Sequence, residues 1–298
     1  MIDDPVPSLV EPSWLHDRLE DPNVRVVDCT VHLEFDEETG ERRSESGRSD
    51  WERSHIPGSV FGDLLGELSA ADPEYPYQRP SAERFAAAME QLGVGDDSVV
   101  VLYDSEGCDW AARVWWLLRA FGFDRAGVLN GGWDRWLAEE RPVSTDPRSV
   151  HEATFTPDPR PELFADKEDV LAAIGDDDVC LVNALRPADF EGSGIVKYGR
   201  PGRIPDSVNV TAVGEEAIVD ADDRTFLPEP ELRERFADAG VTDSEQIITY
   251  CGGGIAASSA AFALHLLGID EVAVYDGSLS EWGADETLPM ETDVARSR

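Results

Sequence analysis

Lysine is nearly absent from this chain. Two of its 298 residues are Lys, against 23 Arg and 62 Asp and Glu, which leaves a formal net charge of −37 at pH 7. A surface so poor in positive charge excludes phosphate-backbone binding as the main task, because nucleic-acid binders carry a basic footprint. It equally excludes docking on an anionic membrane. Long apolar runs are lacking too. No stretch of about 18 apolar residues occurs, which excludes a membrane-spanning helix. The opening Met1-Ile2-Asp3-Asp4-Pro5 has neither the basic start nor the apolar stretch of a signal peptide, so a soluble, cytoplasmic protein is expected. Cys29, Cys108, Cys180 and Cys251 stand far apart, with no Cys-x-x-Cys and no Cys/His cluster. This spacing fits neither a disulfide framework nor a zinc site, so no metal and no cofactor is expected.

What is present is ample for a core. Apolar residues make up 41% of the chain and include 11 Phe, 8 Trp and 6 Tyr, far too many for a disordered acidic tail. The acidic residues are spread along the whole length, which makes acidity a property of the surface. At molar salt the Debye length shrinks to about 3 Å and screens the self-repulsion of such a surface. The composition therefore points to a salt-accumulating, halophilic cytoplasm. An acidic protein of an ordinary cytoplasm would leave the loss of lysine unexplained.

The chain repeats itself. His55-Ile56-Pro57-Gly58-Ser59-Val60 returns as Arg203-Ile204-Pro205-Asp206-Ser207-Val208, 148 positions later. Gly93-Val94-Gly95-Asp96 returns as Gly240-Val241-Thr242-Asp243, and Gly131 through Trp136 as Gly277 through Trp282, at offsets of 147 and 146. Landmarks in one order with slowly drifting offsets mean two copies of one domain. The prolines between Arg141 and Pro161 mark an extended surface linker, placing the domains at 1–145 and 160–298, with 146–159 between them. Strands are expected at 24–27, 99–103 and 126–129, and again at 179–182, 246–250 and 272–275. Helices are expected at 82–92 and 111–121, and at 231–239 and 257–267. Short apolar strands alternating with helices imply an α/β fold: in each copy a short parallel sheet with helices on both faces.

Ligands of such sheets bind beyond the carboxyl ends of the strands. After Tyr250 comes Cys251-Gly252-Gly253-Gly254-Ile255-Ala256, opening directly into a helix. Glycines let the backbone curl into a cradle with its N–H groups on one centre, and the helix start adds the positive end of its dipole. Both favour an anion at sulfur, and thiolates so placed have pKa values of about 3.5–7.5. Cys251 is the expected nucleophile, and the loop from Gly252 to Ala256 its cradle. The aligned loop of the first copy, Asp104-Ser105-Glu106-Gly107-Cys108-Asp109, has a carboxylate in place of the thiol and is expected to repel an anionic ligand. Cys29 and Cys180 read as core and Cys108 as part of a defunct loop. Trp115, Trp116, Trp133, Trp136 and Trp282 read as packing.

These features together resemble the tandem-domain rhodanese-type sulfurtransferases. The resemblance rests on His55-Ile56-Pro57-Gly58, Arg113-Val114-Trp115-Trp116, Leu129-Asn130-Gly131-Gly132-Trp133 and the Cys251 loop, and it covers nearly the whole chain. It implies a catalytically inactive first domain and a second whose cysteine takes a sulfane sulfur as a persulfide. The sulfur then passes to cyanide, a thiol or a sulfur-carrier protein. The glycine-rich loop is nearer the 3-mercaptopyruvate type than the thiosulfate type, although Gly253 stands where that type has a hydroxyl and Ala256 where it has Thr. An arginine expected at position 185 is displaced to Arg186. Arg203, Arg186 and Arg200 are the candidates for holding the anionic donor, since arginine suits forked anion recognition. A Cys-x₅-Arg phosphatase is excluded, because its arginine position is Ala257. A persulfide carrier that delivers sulfur to a partner protein without small-donor turnover is the alternative. The halophilic reading is checked by thermal melting: the melting temperature rises between 0.2 and 3 M KCl, and a flat or falling curve contradicts it.

Overall fold

Runs of consecutive apolar residues are what a strand covered on both faces requires, and in both copies they form the centre of a parallel sheet. The computed structural model describes residues 5–146, 150–214, 217–241 and 244–294. Residues 1–4, linker residues 147–149 and Thr242-Asp243 of the repeated motif lie outside the described residues. The first copy runs β1 (Leu9–Val10), α1 (Pro12–His16), β2 (Val24–Asp28), β3 (Val31–Phe35), β4 (Arg42–Ser46), α2 (Arg48–Arg53), β5 (Ser59–Phe61), α3 (Ala82–Gln91), β6 (Val99–Tyr103), α4 (Asp109–Ala120), β7 (Ala126–Leu129) and α5 (Gly132–Ala138). The second runs β8 (Phe164–Ala165), α6 (Lys167–Ala173), β9 (Val179–Asn183), α7 (Pro187–Glu191), β10 (Val208–Asn209), α8 (Glu229–Asp238), β11 (Gln246–Tyr250), α9 (Ile255–Leu266), β12 (Val272–Tyr275) and α10 (Ser278–Trp282). Strand order is β1-β7-β6-β2-β5 in one sheet and β8-β12-β11-β9-β10 in the other, with every neighbour parallel. The same winding occurs twice.

Helices α4 and α9 begin two residues earlier than the apolar pattern suggests. Cys108 (φ 72°) and Gly254 (φ 82°) take left-handed conformations and turn the chain straight from the loop into the helix. These two residues are 146 apart while β6 and β11 are 147 apart, so the drift in the repeat offset falls within this loop. The hairpin β3–β4, antiparallel, has no counterpart among the described residues of the second copy. Val31–Phe35 alternates apolar and polar residues, but Arg42–Ser46 holds no apolar residue, so the pair is not legible from sequence. The segment from Arg141 to Pro161 is less superficial than expected, because Phe155 is buried and packs edge-on against Phe85 at 5.7 Å.

Helices α4 and α9 pack against each other and join the copies into one core. The stretch from Ile255 to Leu264 is buried on every side, as a helix apolar all round must be. Its Ala and Ser residues let α4 approach closely. Trp115 meets Phe262 edge-on at 4.8 Å, and the Trp116 indole N–H donates to the Leu163 carbonyl at 3.0 Å. Among the described residues no helix is long and apolar enough to cross a membrane.

The two copies also share a buried ion pair. Arg113 of α4 is fully buried and donates to Asp276 beyond β12, and to the Tyr77 carbonyl at 3.0 Å. Asp276 in turn accepts the Arg79 N–H at 2.9 Å. Removing one partner of such a pair strands a charge in the interior. Asp276→Ala is therefore expected to lower the unfolding free energy by about 3–5 kcal/mol in chemical denaturation, while joint replacement by Arg113→Met and Asp276→Leu costs far less.

Candidate active site

The repeated Ile-Pro-x-Ser motif earns its place by fixing the strand that carries the cysteine. In the second copy the Ile204 N–H donates to the Tyr250 hydroxyl at 3.1 Å, and Ser207 Oγ lies 2.7 Å from it. Ile56 and Ser59 hold Tyr103 in the same way in the first copy. The end of β11 is thereby pinned, and the next residue is Cys251, almost wholly buried.

The start of α10 sets the orientation of the loop. The Cys251 N–H donates to Ser278 Oγ at 3.1 Å, and the Cys251 carbonyl accepts from the Leu279 N–H at 3.0 Å. The Gly252 carbonyl accepts from both the N–H (2.9 Å) and the Oγ (2.6 Å) of Ser280. Carbonyls are thus engaged on one side. Among the described residues, the backbone N–H groups from Gly252 to Ala257 have no protein acceptor. Unpaired buried donors are costly, and a row of them at a helix start is an anion site.

The first copy shows what such a loop does when an acceptor is built in. The Asp104 carboxyl accepts N–H groups of Glu106 (2.8 Å), Cys108 (2.9 Å) and Ala111 (2.8 Å). Asp104 follows β6 as Cys251 follows β11. The expectation that an acidic loop merely repels its ligand is corrected: one carboxyl is itself the ligand of the cradle. Burial holds Asp104 above the usual carboxylate range despite these donors.

Cys251 opens into a cavity of about 470 Å³ walled by both copies. Of the expected cradle residues Gly252, Gly253, Ile255 and Ala256 line it, whereas Gly254 does not and instead turns the chain into α9. The Tyr198 ring lies against Gly252 so closely that a Cβ there would overlap it, and the Tyr77 ring packs on Gly253. Burial raises the pKa of both phenols, and the neighbouring Cys251 adds to the rise. Glu106, at the rim, is held 2.7 Å from Nδ1 of His32, whose Nε2 lies 2.6 Å from Asp50. Partial desolvation disfavours the charged imidazole, but these two carboxylates outweigh it and raise the His32 pKa.

Of the three expected anion-binding arginines, only Arg186 lines the cavity. Among the described residues it has no carboxylate partner. Arg200 and Arg203 are corrected to structural roles. Arg200 donates to the carbonyls of Trp282, Gly283, Asp285 and Leu288 and so clamps the turn after α10. Arg203 pairs with Asp293 at 2.9 Å and stacks over Phe190, away from the cavity. The cations that sequence reasoning missed are Arg42 of β4 and Lys197. Arg42 lies over the Tyr77 ring at 5.2 Å and, among the described residues, has no carboxylate partner. Lys197 lies 2.9 Å from both oxygens of Asp189. The scarcity of lysine was the available signal for Lys197. Nothing local marks Arg42, which reaches the site only because the copies pack together. Cys29 is buried, as expected of a core residue, whereas Cys180, expected in the core as well, is half-buried; Cys108 of the first-copy loop is buried.

Gly254 is constrained in both conformation and space: it is left-handed, and a Cβ would lie 3.2 Å from both the Asp276 carbonyl and Arg113 Nη1. Gly254→Ala is expected to cost about 1–2 kcal/mol from the left-handed backbone alone, read by chemical denaturation, with a loss of turnover as the loop deforms.

A model of the rhodanese-like domain matches residues 11–139 and 166–285. The chain is 31% identical to the 3-mercaptopyruvate sulfurtransferase of Escherichia coli strain K12 (93% of this chain, 95% of that protein). It is 30% identical to the thiosulfate sulfurtransferase of Gallus gallus (92% and 93%). The crystal structure of SseA from Escherichia coli, described as a 3-mercaptopyruvate sulfotransferase with the rhodanese fold, superposes with a TM-score of 0.79 at 28% identity, covering 92% of this chain and 99% of that one. With the same winding twice and relatives of both donor types along nearly its whole length, the chain belongs to the rhodanese family of sulfurtransferases.

Proposed function

We propose that Cys251 takes a sulfane sulfur from a small anionic donor as a persulfide and passes it to a thiophilic acceptor such as cyanide or a thiol. The observation that carries this reading is the loop from Gly252 to Ala257, whose N–H groups lack acceptors among the described residues, beside a cysteine in a walled cavity. The Cys251 sulfur attacks the outer sulfur of the donor, the bond from that sulfur to the donor breaks, and the leaving group takes the electron pair. The persulfide anion then lies where the first copy holds its Asp104 carboxyl, and backbone donors stabilise it as they do a developing anion. The first copy, with Asp104 already filling its own cradle, is catalytically silent and serves as a wall of the site.

The cavity supports one donor over the other. Arg186 and Arg42 face it from different copies, each without a carboxylate partner among the described residues, and suit the carboxylate of 3-mercaptopyruvate. The loop itself carries no basic residue for a thiosulfate dianion. 3-Mercaptopyruvate is therefore the favoured donor, in a cytoplasm rich in salt, and the acceptors are small thiols or a sulfur-carrier protein.

Thiocyanate formation from both donors, at about 3 M KCl, tests the assignment with wild type and Cys251→Ser. The serine variant is expected to lose at least about a hundredfold of the turnover, and equal turnover contradicts the role of Cys251. If neither donor turns over, yet the protein gains the mass of one sulfur that dithiothreitol removes, it is a persulfide carrier.

A further inference from the structure

Transfer of sulfur from 3-mercaptopyruvate leaves a carbanion equivalent that must be protonated, whereas transfer from thiosulfate leaves sulfite, which need not be. The cysteine loop offers no hydroxyl at Gly253 to carry that proton. We infer that Asp109, a residue of the first copy, is the acid that protonates the departing enolate in the active site of the second. This rests on the reading of 3-mercaptopyruvate as donor.

Asp109 opens α4 and lines the same cavity as Cys251. Ser259 Oγ, one turn into α9 from Ile255, donates to its Oδ1 at 2.5 Å and fixes the carboxyl across the junction of the two copies. The other acidic residues of the cavity are unsuited. Asp189 is held by Lys197, and Glu106 by His32. Asp36 accepts hydrogen bonds from Glu38 and Thr39 that keep it ionised, and Glu37 stands in water. The phenols of Tyr77 and Tyr198 are pushed further from acidity by burial. Among the described residues Asp109 has no cation within ion-pair distance, unlike Asp189 and Glu106, and unlike Asp36 it accepts no backbone N–H that would hold it ionised. It is faced by Asp104 and Glu106 from its own loop, by Ser259 from α9 and by Arg224 from the segment before α8. Desolvation, reinforced by the two carboxylates and opposed by Ser259 and Arg224, pushes its pKa up to about 8, so the proton is present at neutral pH.

The protons balance without any further reagent. The Cys251 thiolate attacks the sulfur of the donor thiol; the S–S bond forms, the C–S bond breaks, and its electron pair becomes the enolate of pyruvate. Asp109 gives its proton to the enolate carbon. The new persulfide, still carrying the hydrogen of the donor thiol, returns that proton to the Asp109 carboxylate and remains as the anion in the cradle.

Asp109→Asn tests the assignment, since an amide oxygen still accepts from Ser259 Oγ but the group carries no acidic proton. Turnover is measured with 3-mercaptopyruvate and with thiosulfate, each against pH, at about 3 M KCl. The expected result is a fall of at least about tenfold in the ratio of 3-mercaptopyruvate to thiosulfate turnover at pH 7. In wild type, a decline above about pH 8 appears with 3-mercaptopyruvate and is missing with thiosulfate. An unchanged ratio overturns the inference. If the variant fails to fold, identical wild-type pH profiles for the two donors overturn it instead. Wild type inactive with 3-mercaptopyruvate but active with thiosulfate overturns the donor reading and this inference together.

Discussion

Backbone N–H groups left without acceptors are the constraint from which the site follows. In a well-packed interior nearly every such group is paired, and leaving one unpaired costs about 1–3 kcal/mol. Among the described residues the loop from Gly252 to Ala257 carries several in succession, at the start of a helix that is buried along most of its length. The arrangement is maintained from behind. Ser278, Leu279 and Ser280 engage the peptide groups of Cys251 and Gly252, and left-handed Gly254 turns the chain into α9. An anion on Cys251 supplies the missing acceptor. The first copy meets the same constraint from within its own chain, by placing the Asp104 carboxyl under the equivalent donors.

Duplication therefore left two cradles, one filled permanently and one filled in turn by sulfur. The filled copy still shapes the site. Its hairpin brings Arg42 to the cavity, Tyr77 packs on Gly253, and Arg113 reaches through the junction to Asp276, next to Gly254. None of these groups is close to Cys251 in sequence. The close approach of α4 to α9 brings them there, and it depends on the small residues of α9. Negative charge covers the outer surface, yet the stretch from Tyr250 to Ala263 holds no acidic residue. A carboxylate there would compete with the sulfur anion for the same donors.

Repeated sequence made the duplicated architecture, the central strands and the cysteine loop legible, because short apolar runs and a glycine cradle are local signals. Edge strands such as β1 and β8, two residues each, were too short to announce themselves. The hairpin β3–β4 was hidden because only β3 alternates apolar and polar residues, whereas β4 lies largely exposed and holds no apolar residue to mark a partner strand. The arginines were the least legible part. Arg200 and Arg203 are close to the repeated motif in sequence, but Arg200 is consumed by carbonyls and Arg203 by Asp293, while Arg42 and Lys197 arrive through tertiary packing. A motif position fixed what Arg203 is near, not what its guanidinium faces. Asp109 was read only as part of a defunct loop, since its meaning depends on Ser259 of the other copy.

The most direct measurement is of the loop amides themselves. Two-dimensional ¹H–¹⁵N spectra recorded before and after loading Cys251 with sulfur from thiosulfate should show downfield proton shifts concentrated at Gly252 to Ala257, with the Glu106, Cys108 and Ala111 amides unmoved. Such shifts are the signature of N–H groups gaining an anionic acceptor. Loading that leaves the Gly252 to Ala257 amides where they were would contradict the account, because the persulfide would then be held by something other than the backbone cradle.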